Sequence, residues 1–328
     1  MVMFWVAVLA ISILLYVLLD GFDLGVGILF GLTRDEMRRH TMLGAVAPMW
    51  DGNETWLVVA GVILWGAFPI VYATLFSAFY LPLLLMLAGL ILRGVAFEYR
   101  YKTERLRWVW DAGFVGGSLV AAFMQGLTVG ALVKGLPVSG GQYTGGEFGW
   151  FSPFAVLCGV GLCLGYALLG ACWLVKKCEA DVRDAAYRLI PYLAVGLLVF
   201  LVVVFGYALA ENLRILHRWL QRPYLFVFPA VGVIAALVAA ASVRGRRDGA
   251  PYYMVALIFA VAFGTLAISF WPYMIPFSIT VAEAAAPHSS LAFMFWGEGI
   301  IVFPLMLVYT AISYTVFRGK VRPMSDHY

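Results

Sequence analysis

Charge is what this chain has least of. Of its 328 residues only 12% are Asp, Glu, Lys or Arg, against 63% that are hydrophobic. Soluble domains carry about 25% charged residues, so a water-soluble enzyme or binding module is excluded. Histidine is also scarce, with His40, His217, His288 and His327 as the full set. All four fall outside the hydrophobic segments. Axial haem ligation inside a membrane bundle draws on histidine or methionine, and the twelve methionines read as packing in apolar spans. Cysteine is limited to Cys158, Cys163, Cys172 and Cys178, without a C-x-x-C pair. Neither a disulfide framework nor a thiolate metal site is indicated, and these thiols read as small apolar residues. A Gly-rich phosphate loop, a Ser/His/Asp arrangement, heptads and low-complexity tracts are all missing. The formal charge of +4 does not indicate nucleic acid, because the basic residues lie in loops.

What is present is hydrophobic length. Mean hydropathy is +0.93, and about 20 apolar residues cross a bilayer. Nine segments meet that need, near 3–30, 54–75, 77–98, 111–134, 152–175, 187–211, 224–243, 251–272 and 291–316. The fold class is therefore an all-α polytopic membrane protein, one integral-membrane domain over 1–328. The apolar start has no basic n-region or convincing cleavage site, so it reads as a retained first span. Eighteen of the 22 basic residues fall on the side that holds the 31–53 loop, leaving Lys134, Arg214, Arg218 and Arg222 for the other. The positive-inside rule then puts the N-terminus outside and the C-terminus in the cytoplasm. Within the first cytoplasmic loop, Thr33-Arg34-Asp35-Glu36 has the spacing of a capping box, and a short interfacial helix is expected through about Ala47. Trp271-Pro272-Tyr273-Met274-Ile275-Pro276 ends the eighth span with an aromatic belt and a helix stop.

The acids within or beside these spans carry the chemical interest. Carboxylates are costly in lipid, about 2.5–3.5 kcal/mol at a helix centre, and usually line a polar interior or an ion path. Asp20 and Asp23 are three apart, on one helix face, near the cytoplasmic end of the first span. Asp51 and Glu54 repeat that spacing at the start of the second. Glu98 ends the third span five residues beyond Arg93, and Asp111 opens the fourth. These groups fit two patterns. In one, Asp51, Glu54 and Asp111 complement helix N-termini, worth about 0.3–1 kcal/mol each, and Asp20 or Asp23 pairs with Arg93. In the other they relay protons, since intramembrane carboxylates serve as relays in pumps and transporters. Gln125, beside Gly126, is a polar group in an apolar helix that suits interhelical hydrogen bonding. Glu298 and its neighbour Trp296, near the outer end of the last span, fit either pattern.

Several runs in the chain also resemble a known family. Leu19-Asp20-Gly21-Phe22-Asp23-Leu24-Gly25-Val26-Gly27, Ala47-Pro48-Met49-Trp50-Asp51-Gly52-Asn53-Glu54-Thr55-Trp56-Leu57, Phe68-Pro69, Arg93-Gly94-Val95-Ala96-Phe97-Glu98-Tyr99-Arg100, Gln125-Gly126 and Trp271-Pro272-Tyr273 are similar to subunit II of the cytochrome bd quinol oxidases. The Asn53-Glu54-Thr55 form and short loops look closer to the cyanide-insensitive branch than to the longer enterobacterial type. The resemblance implies a subunit of an enzyme that oxidises quinol and reduces dioxygen to water, with two b-type haems and one d-type haem, all in the haem-bearing subunit I. It implies two four-helix bundles plus a peripheral helix, in a pseudosymmetric heterodimer within a bacterial or archaeal cell membrane. A small single-span accessory subunit and a structural quinone occur in some members. By the resemblance, Asp51 matches the main acid of a cytoplasmic proton path, Asp20 a second, and Glu98 a third that is aspartate in the longer members. Asp23, Glu54, Asp111 and Arg93 are weaker candidates. Cytoplasmic proton uptake would make turnover electrogenic without pumping. Outside this family, a proton-coupled secondary transporter or a pure scaffold would use the same acids differently; a transporter would favour inverted repeats and helices broken at the midplane, and neither is clear in the sequence.

Overall fold

The computed structural model describes residues 1–103, 105–211 and 219–321. His217, His327 and the loop arginines Arg214 and Arg218 lie outside them. Helices dominate: α1 (Val2–Phe30), α2 (Glu36–Val46), α3 (Trp50–Ala67), α4 (Pro69–Ala78), α5 (Tyr80–Arg100), α6 (Arg107–Lys134), α7 (Pro153–Lys177), α8 (Ala180–Ala210), α9 (Val227–Arg244), α10 (Ala250–Phe270), α11 (Val281–Ala284), α12 (His288–Met294) and α13 (Phe303–Val316). A π-helical stretch, Phe295–Val302, joins α12 to α13. Among the described residues eight helical segments are long and apolar enough to span a membrane. The bent pair α3–α4 is the ninth candidate.

That bend corrects the expectation of one uninterrupted second span over 54–75. The axis turns by 120° between Ala67 and Pro69. Proline lacks the N–H that would continue the helix and disfavours α geometry at the residue before it. Phe68 accordingly sits at φ −136°, ψ 59°, and Pro69 opens α4 at a position where no donor is needed. The interfacial helix is present as α2, but its cap differs from the expected box. Asp35 rather than Thr33 is the N-cap, accepting from the Arg38 N–H at 2.9 Å. Thr33 Oγ1 instead accepts from the Asp35 N–H.

The core is built on α1, α6 and α7, with α3, α5 and α10 packed around it. α7 is the most enclosed helix, whereas α8, α9 and the last span are largely exposed. Close crossings explain the glycines of the Asp20–Gly27 run. A Cβ on Gly25 would lie 1.8 Å from the Tyr166 carbonyl of α7, so only glycine permits this approach. Gly89 and Gly117 do the same for α5 against α6, where a Cβ on Gly117 would lie 2.4 Å from the Gly89 carbonyl. Two hairpins, β1–β2 (Val138–Ser139 with Gln142–Tyr143) and β3–β4 (Tyr273–Ile275 with Ile279–Thr280), cover the end of the bundle opposite α2. At the α2 end the C-terminal strand of chain is tied down. Lys177 Nζ donates to the Phe317 and Gly319 carbonyls, and the Val321 N–H donates to the Lys177 carbonyl at 2.7 Å.

Candidate functional site: a buried carboxylate–arginine network

α1, α3 and α5 bring Asp20, Glu54 and Arg93 together because each helix carries that residue on the face turned to the others. Arg93 is the hub. Its side chain is 2% exposed. Nη1 donates to Asp20 Oδ1 at 2.6 Å and Nη2 to Glu54 Oε2 at 2.8 Å. Asp20 is fully buried, whereas the Glu54 side chain keeps 27% of its surface exposed. The guanidinium also lies 5.9 Å from the Trp50 ring centroid, and Trp50 packs against Phe97. A charge held out of water is tolerable only when paired and hydrogen-bonded, and Asp20 and Arg93 satisfy that condition for each other.

Asp23, one turn along α1, takes a different partner. Asn53 Nδ2 donates to Asp23 Oδ2 at 2.7 Å and to the Leu19 carbonyl at 3.3 Å, while Asn53 Oδ1 accepts from the Tyr314 hydroxyl at 2.9 Å. This amide therefore ties α1, α3 and α13 together. Asn53 lies inside the Trp-Asp-Gly-Asn run but carries no charge, and so gave no chemical signal. Asp20 Oδ2, Asp23 Oδ1 and Arg93 Nε have no hydrogen-bond partner among the described residues. Deeper in the bundle, Tyr16 lies one turn from Asp20 on α1. Its hydroxyl accepts from Gln125 Nε2 at 2.6 Å, and the Tyr166 hydroxyl donates to Gln125 Oε1 at 2.9 Å. Gln125 is thus an interhelical tie between α1, α6 and α7.

A second network lies nearer the loops. Asp111 accepts from Arg100 Nε at 2.5 Å and from Arg39 Nη1 at 2.7 Å. Glu36 accepts from Arg100 Nη2 at 2.8 Å, with Arg39 and Arg107 each 3.5 Å away. Burial raises the affinity of Glu36 for its proton, but the Arg100 hydrogen bond and the surrounding guanidinium charges hold this carboxyl below its ordinary range. Arg39 and Arg100 both lie over the Phe30 ring. These contacts lock α2 to α5 and α6.

The six expected acids are therefore divided rather than gathered into one cluster. Asp20, Glu54 and Arg93 form one ion-paired group, with Asp23 beside it, and Asp111 belongs to the second network. Asp51 and Glu98 are exposed, without an ion pair among the described residues. Asp51 stands one turn before Glu54 on α3, at the exposed end of the first group. Glu98 is separated from that group because its helix turns it outward while Arg93, Phe97 and Arg100 point in. Glu298 sits in the π-helical stretch, half-buried, and Trp296 is exposed. Of the described histidines, His40 is on α2 with its ring against Tyr101, and His288 opens α12; neither lies inside the bundle. The cleft lined by Asp23, Val46, Trp50, Arg93, Phe97 and Phe114 has a volume of about 10 Å³. That is room for about one water molecule; it does not fit a quinone ring.

Comparison with known proteins places this geometry. The family model of cytochrome bd terminal oxidase subunit II matches residues 1–317. The chain is 32% identical to a probable cytochrome oxidase subunit 2 of Haemophilus influenzae, over 95% of this chain and 92% of the relative. It is 31% identical to the cytochrome bd-I ubiquinol oxidase subunit 2 of Escherichia coli K12, over 97% and 94% of the two chains. In fold it is similar to a chain of the bd oxidase structure from Geobacillus thermodenitrificans, with a TM-score of 0.78, 15% identity and 96% of each chain covered. The chain, a multi-pass membrane protein, belongs to the cytochrome bd terminal oxidase subunit II family.

Proposed function

We propose that this chain is the haem-free second subunit of a quinol:oxygen oxidoreductase, that it stabilises a haem-bearing subunit I, and that its buried acids supply a cytoplasmic proton path toward the oxygen-reducing site. In this reading the chain is one integral-membrane domain of two four-helix bundles and a peripheral helix, with its N-terminus outside and its C-terminus in the cytoplasm. Subunit I holds two haems b and haem d, and quinol and dioxygen are the substrates of the complex. The observation that carries the proton path is the graded exposure along α3 and α1. Asp51 is exposed, Glu54 is partly exposed and bonded to Arg93, and Arg93 is bonded to the fully buried Asp20. Protons entering at Asp51 pass through bridging water to Glu54 and, again through water, to the Asp20 carboxyl, whose second oxygen is left for the next acceptor. Arg93 keeps its own proton throughout and orients the two carboxylates. Glu98 lies off this line and acts as a second surface collector. Asp111, paired on both sides by arginines, has a structural role.

The test starts from material purified through a tag on this chain. A second large polypeptide with haem b and haem d bands in the reduced-minus-oxidised spectrum is expected. A colourless single chain, obtained where subunit I is co-expressed, would overturn the subunit role and raise the transporter.

A further inference from the structure

Outside the buried network, a cleft lies between the end of α1, α2, α7 and the start of α8. We propose that this cleft binds one anionic phospholipid, with the phosphate on Arg188 and an acyl chain running along α8. The cleft has a volume of about 220 Å³ and an apolar wall that includes Leu29, Met42, Leu174 and Leu189, with Arg38 and Arg188 as its charged lining. Drug-sized ligands occupy about 300–1,000 Å³, so it takes part of a molecule whose remainder lies outside.

Three observations select a lipid of this charge. First, the two cations are unequal. Arg38 uses Nε and Nη2 on Asp181, which cancels its charge, whereas Arg188 is exposed and has no ion-pair partner among the described residues. The cleft therefore carries one uncompensated positive charge. Second, that charge lies at the water boundary. Arg188 stands within the first turns of α8, on the same side as Thr33, Arg38 and Asp181, where the basic loops of the chain gather. Basic pockets between membrane helices on the cytoplasmic side take anionic headgroups. Third, an apolar track leads away from it. Tyr192, Val195, Val199 and Val202 follow at helical spacing on one face of α8, and each is more than half exposed. A cation, a cleft and a continuous apolar stripe match, in order, a phosphate, a glycerol region and an acyl chain.

The test uses the assembled complex in nanodiscs of mixed phosphatidylglycerol and phosphatidylcholine, followed by detergent exchange and native mass spectrometry. One phosphatidylglycerol per complex is expected to persist. Arg188→Gln removes one charge-assisted hydrogen bond and should lower retention about tenfold. Ala185→Trp, which fills the cleft without touching the charge, should also release the lipid. Neither variant touches the Asp20–Arg93 network, so haem spectra and turnover should stay normal. The proposal would be overturned by equal retention in both variants, by equal retention of phosphatidylcholine, or by displacement of the lipid by inorganic phosphate alone, which would mark a plain anion site. A protein helix seated on the α8 stripe would do so too.

Discussion

Replacing Arg93 by methionine removes both hydrogen bonds of the hub and leaves Asp20, with none of its surface exposed, without a cation. Breaking a buried ion pair on one side costs about 3–5 kcal/mol, because the remaining charge has no compensation. Asp20→Asn is milder. It keeps a neutral acceptor, and Arg93 retains Glu54 at 2.8 Å, so the loss is one charge-assisted hydrogen bond, about 1.5–3 kcal/mol. The double variant Asp20→Asn/Arg93→Met should be more stable than the sum of the single losses implies, since no buried ion is stranded in α1. The assay is equilibrium unfolding in mixed micelles, read by tryptophan fluorescence, with the four proteins forming a double-mutant cycle. Trp50 beside the Arg93 guanidinium reports locally. Costs below about 1 kcal/mol for Arg93→Met, or additive losses, would refute the view that Asp20 and Arg93 compensate each other.

Three further outcomes follow from other contacts. Gly25→Val should prevent assembly, because even a Cβ there falls 1.8 Å from the Tyr166 carbonyl; yield of the intact complex on a native gel checks it. Gln125→Leu strands the hydroxyls of Tyr16 and Tyr166 and should cost about 1–3 kcal/mol for each buried group left unsatisfied, measured by the same unfolding assay, whereas Gln125→Glu should cost less. Burial raises the affinity of Asp248, in the loop between α9 and α10, for its proton, but the hydrogen bonds it accepts from Lys320 and Tyr187 and the charges of Lys320 and Arg183 lower it more. A carboxyl depressed in the folded state stabilises at pH above its unfolded value, and the contribution fades as pH falls through the folded value. Asp248→Asn should therefore be less stable than the parent at pH 7, with the difference shrinking as the sample is acidified below the ordinary carboxylate range.

Much of the architecture is written in the hydrophobic runs, because a bilayer demands spans of fixed length and leaves few alternatives. The helices near 77–98, 111–134, 152–175 and 251–272 appear within a few residues of those bounds. The second span shows where length misleads. Hydropathy continues through Phe68-Pro69, while the backbone there obeys proline sterics and turns. The helix cap at Asp35 shows a related limit, since Thr33 and Asp35 are both capping types and their neighbours decide between them. At the site, the spacing of Asp20 with Asp23 and of Asp51 with Glu54 placed each pair on one face. The choice of Asp20 over Asp23 as partner of Arg93 depends on how α5 rotates against α1, which the pattern of one helix does not specify. For the same reason Glu98, five residues beyond Arg93, lies on the opposite side of its helix from the network. Asn53 and Tyr314 came together from distant segments, and neither has a charge to mark it.

The central claim, that surface and buried acids of this chain carry protons to the partner, is tested most directly by oxygen consumption of the purified complex carrying Asp51→Asn. Asp51 is exposed and unpaired among the described residues, so the variant should assemble normally and keep unchanged haem spectra. The account predicts slowed oxygen-linked turnover against that normal spectral background, with Asp51→Glu recovering part of the rate. Turnover equal to the parent in Asp51→Asn would contradict the relay and leave these acids as a structural network.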